Sequence, residues 1–148
     1  MVFPPVMKHF RVVLDTNVIV AALRSKSGAS HRLLLTLGHP RWQSVVTPAL
    51  MYEFEDVARR PGNAPELSAE DISAVLDLLY QRSNRQFVYF RWRPLSPDPG
   101  DDLILEAAIA GNCDVVVSFN EWHLRAASEF GMEVLKPFEF LKRIGEVI

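Results

Sequence analysis

The most constraining stretch of this chain is Phe10-Arg11-Val12-Val13-Leu14-Asp15-Thr16-Asn17. Val12, Val13 and Leu14 form a short apolar run without polar alternation, the pattern of a parallel strand buried on both faces. It stops at Asp15, Thr16 and Asn17, and an apolar helical segment, Val18-Ile19-Val20-Ala21-Ala22-Leu23, follows at once. An acid beside a core costs solvation energy unless something compensates it. The carboxyl end of a strand in an open α/β sheet is also where ligands bind. Asp15 therefore has two readings: an acid kept for chemistry, or the cap of the following helix. These residues alone do not separate them.

Further along, strands and helices alternate. Residues 42–46, 86–90, 115–117 and 132–135 read as strands. Residues 29–37, 48–60, a segment after Ser68, 103–110, 122–128 and 138–144 read as helices. The punctuation agrees with this division. Thr47-Pro48 is a cap followed by a first-turn proline, and Ser68-Ala69-Glu70-Asp71 is a capping box. Pro61-Gly62-Asn63-Ala64-Pro65 is a turn, and Gly111 closes a helix. The alternation predicts a mainly parallel sheet covered on both faces. With 148 residues and no internal repeat, the chain reads as one domain over residues 1–148.

Composition excludes some classes. At 49% hydrophobic and 23% charged residues, the chain is globular rather than disordered. A net charge of -2 means that a nucleic-acid partner requires a local basic face. Cys113 is the single cysteine, which fits a reducing compartment and a buried, unreactive thiol. No signal-peptide core or membrane-length apolar run is present in the sequence, so a cytoplasmic protein with no membrane partner is expected.

Three acids stand out. In the helix over 48–60, Leu50, Phe54 and Val57 share a stripe, Glu53 lies on its edge, and Glu55 and Asp56 point away. Glu53 alone also fits a salt-bridged boundary residue. Ahead of the fourth strand, Asp98 and Asp101 are explained as cap and first-turn acids. Asp102 begins the second turn beside the apolar face, with Glu106 on the same side. Asn120 closes the fourth strand. Strand ends and the starts of following helices converge at the carboxyl edge of a right-handed parallel sheet. Asp102 joins that edge only if the third strand runs into it through the proline-rich loop over 94–99. No Cys/His cluster suits zinc; hard oxygen donors suit magnesium (Mg2+) or manganese (Mn2+).

Four pieces in register resemble the PIN-domain family, in particular the VapC-like toxins of prokaryotic toxin–antitoxin pairs. They are Val12-Val13-Leu14-Asp15-Thr16-Asn17; Thr47-Pro48-Ala49-Leu50-Met51-Tyr52-Glu53-Phe54 with Arg60-Pro61; Asp98-Pro99-Gly100-Asp101-Asp102-Leu103-Ile104-Leu105; and Gly111-Asn112-Cys113-Asp114-Val115-Val116-Val117-Ser118-Phe119-Asn120. The likeness spans about residues 11–140. It implies a three-layer α/β/α sandwich and metal-dependent cleavage of RNA. Asp15, Glu53 and Asp102 match the family's acidic metal-site positions, and Asn120 matches the fourth, which is Asp in many members and Asn in others. Thr16 and Ser118 match hydroxyl positions near the site. Where Asn stands fourth, the family often has Asp three residues later; here that place holds His123. The second metal position is thus left open, with Glu106 and Glu121 as substitutes.

The resemblance also implies an RNA substrate, a cognate antitoxin and a homodimer. Arg24, Lys26, Arg59, Arg60, Arg91 and Arg93 are candidate phosphate contacts. Trp92 and Trp122 fit core or interface packing better than base stacking. The competing reading is a PIN-fold binding module, weakly active or inactive, for an antitoxin or RNA. Haloacid-dehalogenase chemistry needs an acid where Asn17 stands, and dinucleotide binding lacks its Gly-x-Gly fingerprint.

Overall fold

The computed structural model describes residues 8–88 and 99–146. Its centre is a sheet of β1 (Phe10–Leu14), β2 (Trp42–Val46), β3 (Asn84–Arg85), β4 (Val115–Val117) and β5 (Glu133–Leu135). The order is β3-β2-β1-β4-β5, and every pairing is parallel. Helices α1 (Thr16–Arg24) and α2 (Ala29–Leu35) link β1 to β2, and α3 (Pro48–Ala58) and α4 (Ala69–Arg82) link β2 to β3. Helix α5 (Pro99–Ala110) precedes β4; a 3-10 turn (Glu121–Leu124) and α6 (Ala126–Glu129) precede β5, and α7 (Pro137–Arg143) follows it.

The apolar runs are central because they are buried on both faces: Val12, Val13, Val115, Val116 and Val117 have no exposed surface. Neighbouring residues of β1 point to opposite faces, and different helices meet them. Phe10, with Trp42 of β2, packs edge-on against Phe140 of α7, at ring-centroid distances of 5.8 and 5.5 Å. Arg11 Nε donates to the carbonyl of Gly111, at the end of α5, at 2.6 Å. Helices thus lie on both sides of the sheet, giving a three-layer α/β/α sandwich.

The caps at α3 and α4 follow the sequence. Thr47 Oγ1 accepts from the Leu50 N–H at 3.1 Å. Ser68 and Asp71 exchange bonds at 3.1 and 3.2 Å. Several boundaries differ from expectation, and three show the physical reason. Helix α2 stops at Leu35 rather than residue 37; Thr36 Oγ1 donates to the Leu33 carbonyl at 2.7 Å, and Leu35 is 71% exposed. At the end of α5 the left-handed residue is Asn112 (φ 49°), not Gly111. Gly111 is required for another reason, since a Cβ there would lie 2.5 Å from Val45 Cγ1.

The third strand is Asn84–Arg85, not 86–90. Polar anchors set it: Ser83 Oγ lies 2.8 Å from Ser44 Oγ, and Arg11 Nη2 donates to Asn84 Oδ1 at 3.0 Å. Phe87, within the expected strand, is 62% exposed. Residues 89 and 90 lie outside the described residues, as do Arg91, Trp92, Arg93 and Asp98.

From β1 the chain steps outward to β2 and β3, then returns to add β4 and β5 on the other flank. The strand order reverses between β1 and β4, and a crevice opens there at the carboxyl edge.

Candidate active site

Asp15 stands at that crevice. Its N–H donates to the carbonyl of Val117, the last residue of β4, at 2.9 Å, and its own carbonyl accepts from Val18 at 3.0 Å. It occupies the cap position of α1 with extended backbone, yet its side chain makes no capping bond. Instead, Ser118 Oγ donates to Asp15 Oδ2 at 2.6 Å, and the Asn120 N–H donates to Ser118 Oγ at 2.9 Å. Ser118 is fully buried and Asp15 is 7% exposed. A carboxylate this buried stays charged only where donors or cations compensate it; the Ser118 hydroxyl is one such donor.

Glu53 reaches the same crevice from α3. Buried Leu50 and Phe54 fix the helix face, leaving Glu53 half-buried on the wall of a cleft of about 600 Å³ that Asp15 also lines. Glu55 and Asp56 are exposed and pair with Arg59 at 3.3 Å and Arg60 at 2.7 Å. Thr16, Asn17, Asp101 and Asn120 also line the cleft.

Helix α5 presents its two acids differently. Asp101, 7% exposed, lines the cleft; Asp102, 3% exposed, is buried and is not among the lining side chains. Glu106 is buried and Glu121 is exposed; the side chains of Trp122 and His123 lie outside the description. Of the basic candidates, Arg24 lines the cleft. Lys26 is exposed and not on its wall, and Arg59 and Arg60 border a separate groove with Tyr52 and Pro61. Arg91 and Arg93 lie outside the described residues. Sequence reasoning passed over Asn17, Asn63 and Asp101 as site residues. Asn17 sat inside the first motif, and Asp101 was set aside because a first-turn acid needs no further explanation.

Among the described residues no group of three or more His, Cys, Asp or Glu side chains could form a metal cage. What exists is an open cleft walled by carboxylate and amide oxygens. That donor set fits a hard cation taking one or two carboxylates plus water and substrate oxygens, as magnesium does, and not a closed zinc cage. Cys113 is no part of the chemistry: burial pushes its thiol up to about 12, far from thiolate formation.

A parallel α/β sheet with acids at its switch point defines an α/β domain with a polar cleft suited to a hard cation. The PIN-domain family model matches residues 11–121, and the chain belongs to the PIN domain family. PIN domains are generally nucleases and generally use divalent metals. Among solved structures, the chain is similar to one from the crystal structure of VapBC2 from Rickettsia felis bound to a DNA fragment from their promoter. The two are 17% identical with a TM-score of 0.59, over 85% of this chain and 98% of that one. At that identity the likeness is one of fold. Comparison with curated proteins yields no match.

Proposed function

We propose that this PIN domain is a metal-dependent endoribonuclease, hydrolysing RNA phosphodiester bonds as the toxin component of a toxin–antitoxin pair. The observation that carries this reading is the Asp15 carboxylate, which leaves α1 uncapped and is bonded instead by Ser118 in a carboxylate-walled cleft. Magnesium or manganese would be held by Asp15 and an acid from the first turn of α5, with Glu53 direct or through water. Asp102 has the family correspondence, and Asp101 has the place on the cleft wall. Bound there, such an ion lowers the pKa of a coordinated water and polarises a phosphodiester.

The chain's own residues account for the rest. Ser118 fixes the rotamer of Asp15 and keeps one of its oxygens engaged. Asn120 offers a neutral amide oxygen, adding a donor without another negative charge. Thr16 and Asn17 begin α1 and line the cleft, so the positive end of that helix lies beside the incoming phosphate.

The likeness to the VapBC2 complex supports a cognate antitoxin for this chain; a homodimer and a cytoplasmic location complete the proposal. No helix among the described residues is long and apolar enough to cross a membrane. Asn120 followed by His123 favours one other reading, a PIN-fold module that binds RNA or antitoxin without cutting.

Incubating the purified protein with RNA in manganese or in EDTA separates the two. Cleavage in manganese, abolished by EDTA and by Asp15→Asn, is the expected result. Comparing Asp101→Asn with Asp102→Asn assigns the third acid. No cleavage and no manganese-induced thermal shift would leave the binding module.

A further inference from the structure

A cleft walled by Asp15, Glu53 and Asp101 repels a polyanion, so a phosphodiester needs a cation at its mouth. Among the described residues, Arg24 is the one basic side chain lining it. Arg24 ends α1 and is exposed, where a free arginine would sample many rotamers. Here it is tied down. Its Nη2 donates to Asn63 Oδ1 at 3.1 Å and to the Gly62 carbonyl at 3.3 Å. Asn63 is itself fixed, because its Nδ2 donates to the Val57 carbonyl in the last turn of α3 at 2.8 Å. The turn that presents both acceptors is closed by the Asn63 N–H on the Arg60 carbonyl at 3.2 Å. It depends on Gly62, whose φ is +84°.

We infer that Asn63 is a positioning residue: the turn after α3 holds the Arg24 guanidinium at the cleft mouth so that it binds one phosphate of a single RNA strand. The bonds to the turn use the Nη2 donors, and the Nη1 N–H groups remain to donate to a phosphate oxygen. Preorganising the guanidinium removes most of the ordering cost of that contact. The inference rests on the ribonuclease reading only for the identity of the ligand. It also gives a chain of net charge -2 a fixed cation at this cleft.

The test is binding of a labelled single-stranded RNA in the Asp15→Asn background, where cutting is blocked, across a salt series. Arg24→Ala should weaken binding about tenfold and reduce the log–log salt slope by about 0.7, the value of one phosphate contact on a single strand. Asn63→Ala should weaken binding by about threefold, and have no further effect once Arg24 is alanine. Asn63→Asp should lower the slope as Arg24→Ala does, because the new carboxylate neutralises the guanidinium it holds. Equal losses for Asn63→Ala with and without Arg24, or an Arg24→Ala slope identical to that of Arg24, would overturn the inference while leaving the ribonuclease reading standing. Absence of RNA binding by the parent protein would overturn both. Binding without cleavage by the otherwise native protein would remove the nuclease and leave the clamp.

Discussion

Helices α1 and α4 begin with the same local signal, a short polar residue ahead of an apolar periodic run, and use it in opposite ways. At α4, Ser68 accepts from the Asp71 N–H and Asp71 returns the bond to the Ser68 N–H. Everything at that terminus is settled within four residues. At α1, Asp15 holds the cap position with extended backbone but makes no side-chain capping bond. Its carboxylate accepts from Ser118, 103 residues away in sequence. A cap serves local geometry, whereas the Asp15 carboxylate is engaged across the sheet and lines the cleft. The contrast separates scaffold from site.

The largest effect expected from that contrast is on cleavage. Asp15→Asn should lower the rate by at least about 10³-fold, roughly 4 kcal/mol of transition-state stabilisation, whereas Ser68→Ala should leave it unchanged in the same assay. Next comes Ser118→Ala, which removes the donor to Asp15 and the acceptor of the Asn120 N–H. Loss of such an orienting partner costs about 10- to 100-fold in activity or metal affinity. Equal activity for Ser118→Ala would show that Asp15 needs no orienting partner.

Ser68→Ala itself should cost about 1 kcal/mol of stability in a denaturant melt, with Thr47→Ala at α3 costing a similar amount. A smaller effect lies far from both helix starts. The Arg143 guanidinium donates to both Glu133 oxygens, at 3.0 and 3.2 Å, and that hydrogen bonding holds the Glu133 carboxyl below its ordinary value. A depressed folded pKa contributes stability above the unfolded pKa and loses it as pH falls through the folded one. Melts of Glu133→Gln and wild type should therefore differ at neutral pH, by no more than about 0.5 kcal/mol for so exposed a pair. They should converge under strongly acidic conditions.

Much of the scaffold was legible because it is written locally. The valine runs of β1 and β4, the caps at Thr47 and Ser68 and the stripe of Leu50 and Phe54 each state their structure within a few residues. Glu53 could be told from Glu55 and Asp56 because a helix face is a matter of spacing. What was not legible depends on distant neighbours. Nothing near Asp15 reveals Ser118, and nothing near Asn84 reveals that Arg11 will bond it and set the edge strand. The span 86–90 misled because an apolar stretch suggests a strand regardless of whether a core lies beside it, and Phe87 is exposed. Asp101 and Asp102 differ by one helical step of about 100°. Choosing which of them meets the cleft requires knowing how α5 is rotated against the sheet, and spacing within one helix does not supply that.

The most direct test of the distinction between cap and site is a pair of thermal melts, wild type and Asp15→Asn, each in EDTA and in manganese. Asn retains an acceptor for Ser118 and a capping-competent side chain, so the substitution removes the negative charge and little else. With the charge held among other cleft acids for a cation, Asp15→Asn should melt at or above wild type in EDTA, and lose most of the manganese-induced rise that wild type shows. A variant that melts well below wild type in EDTA and keeps the full manganese rise would contradict the account, because the charge of Asp15 would then serve the positive end of α1 and not the cleft.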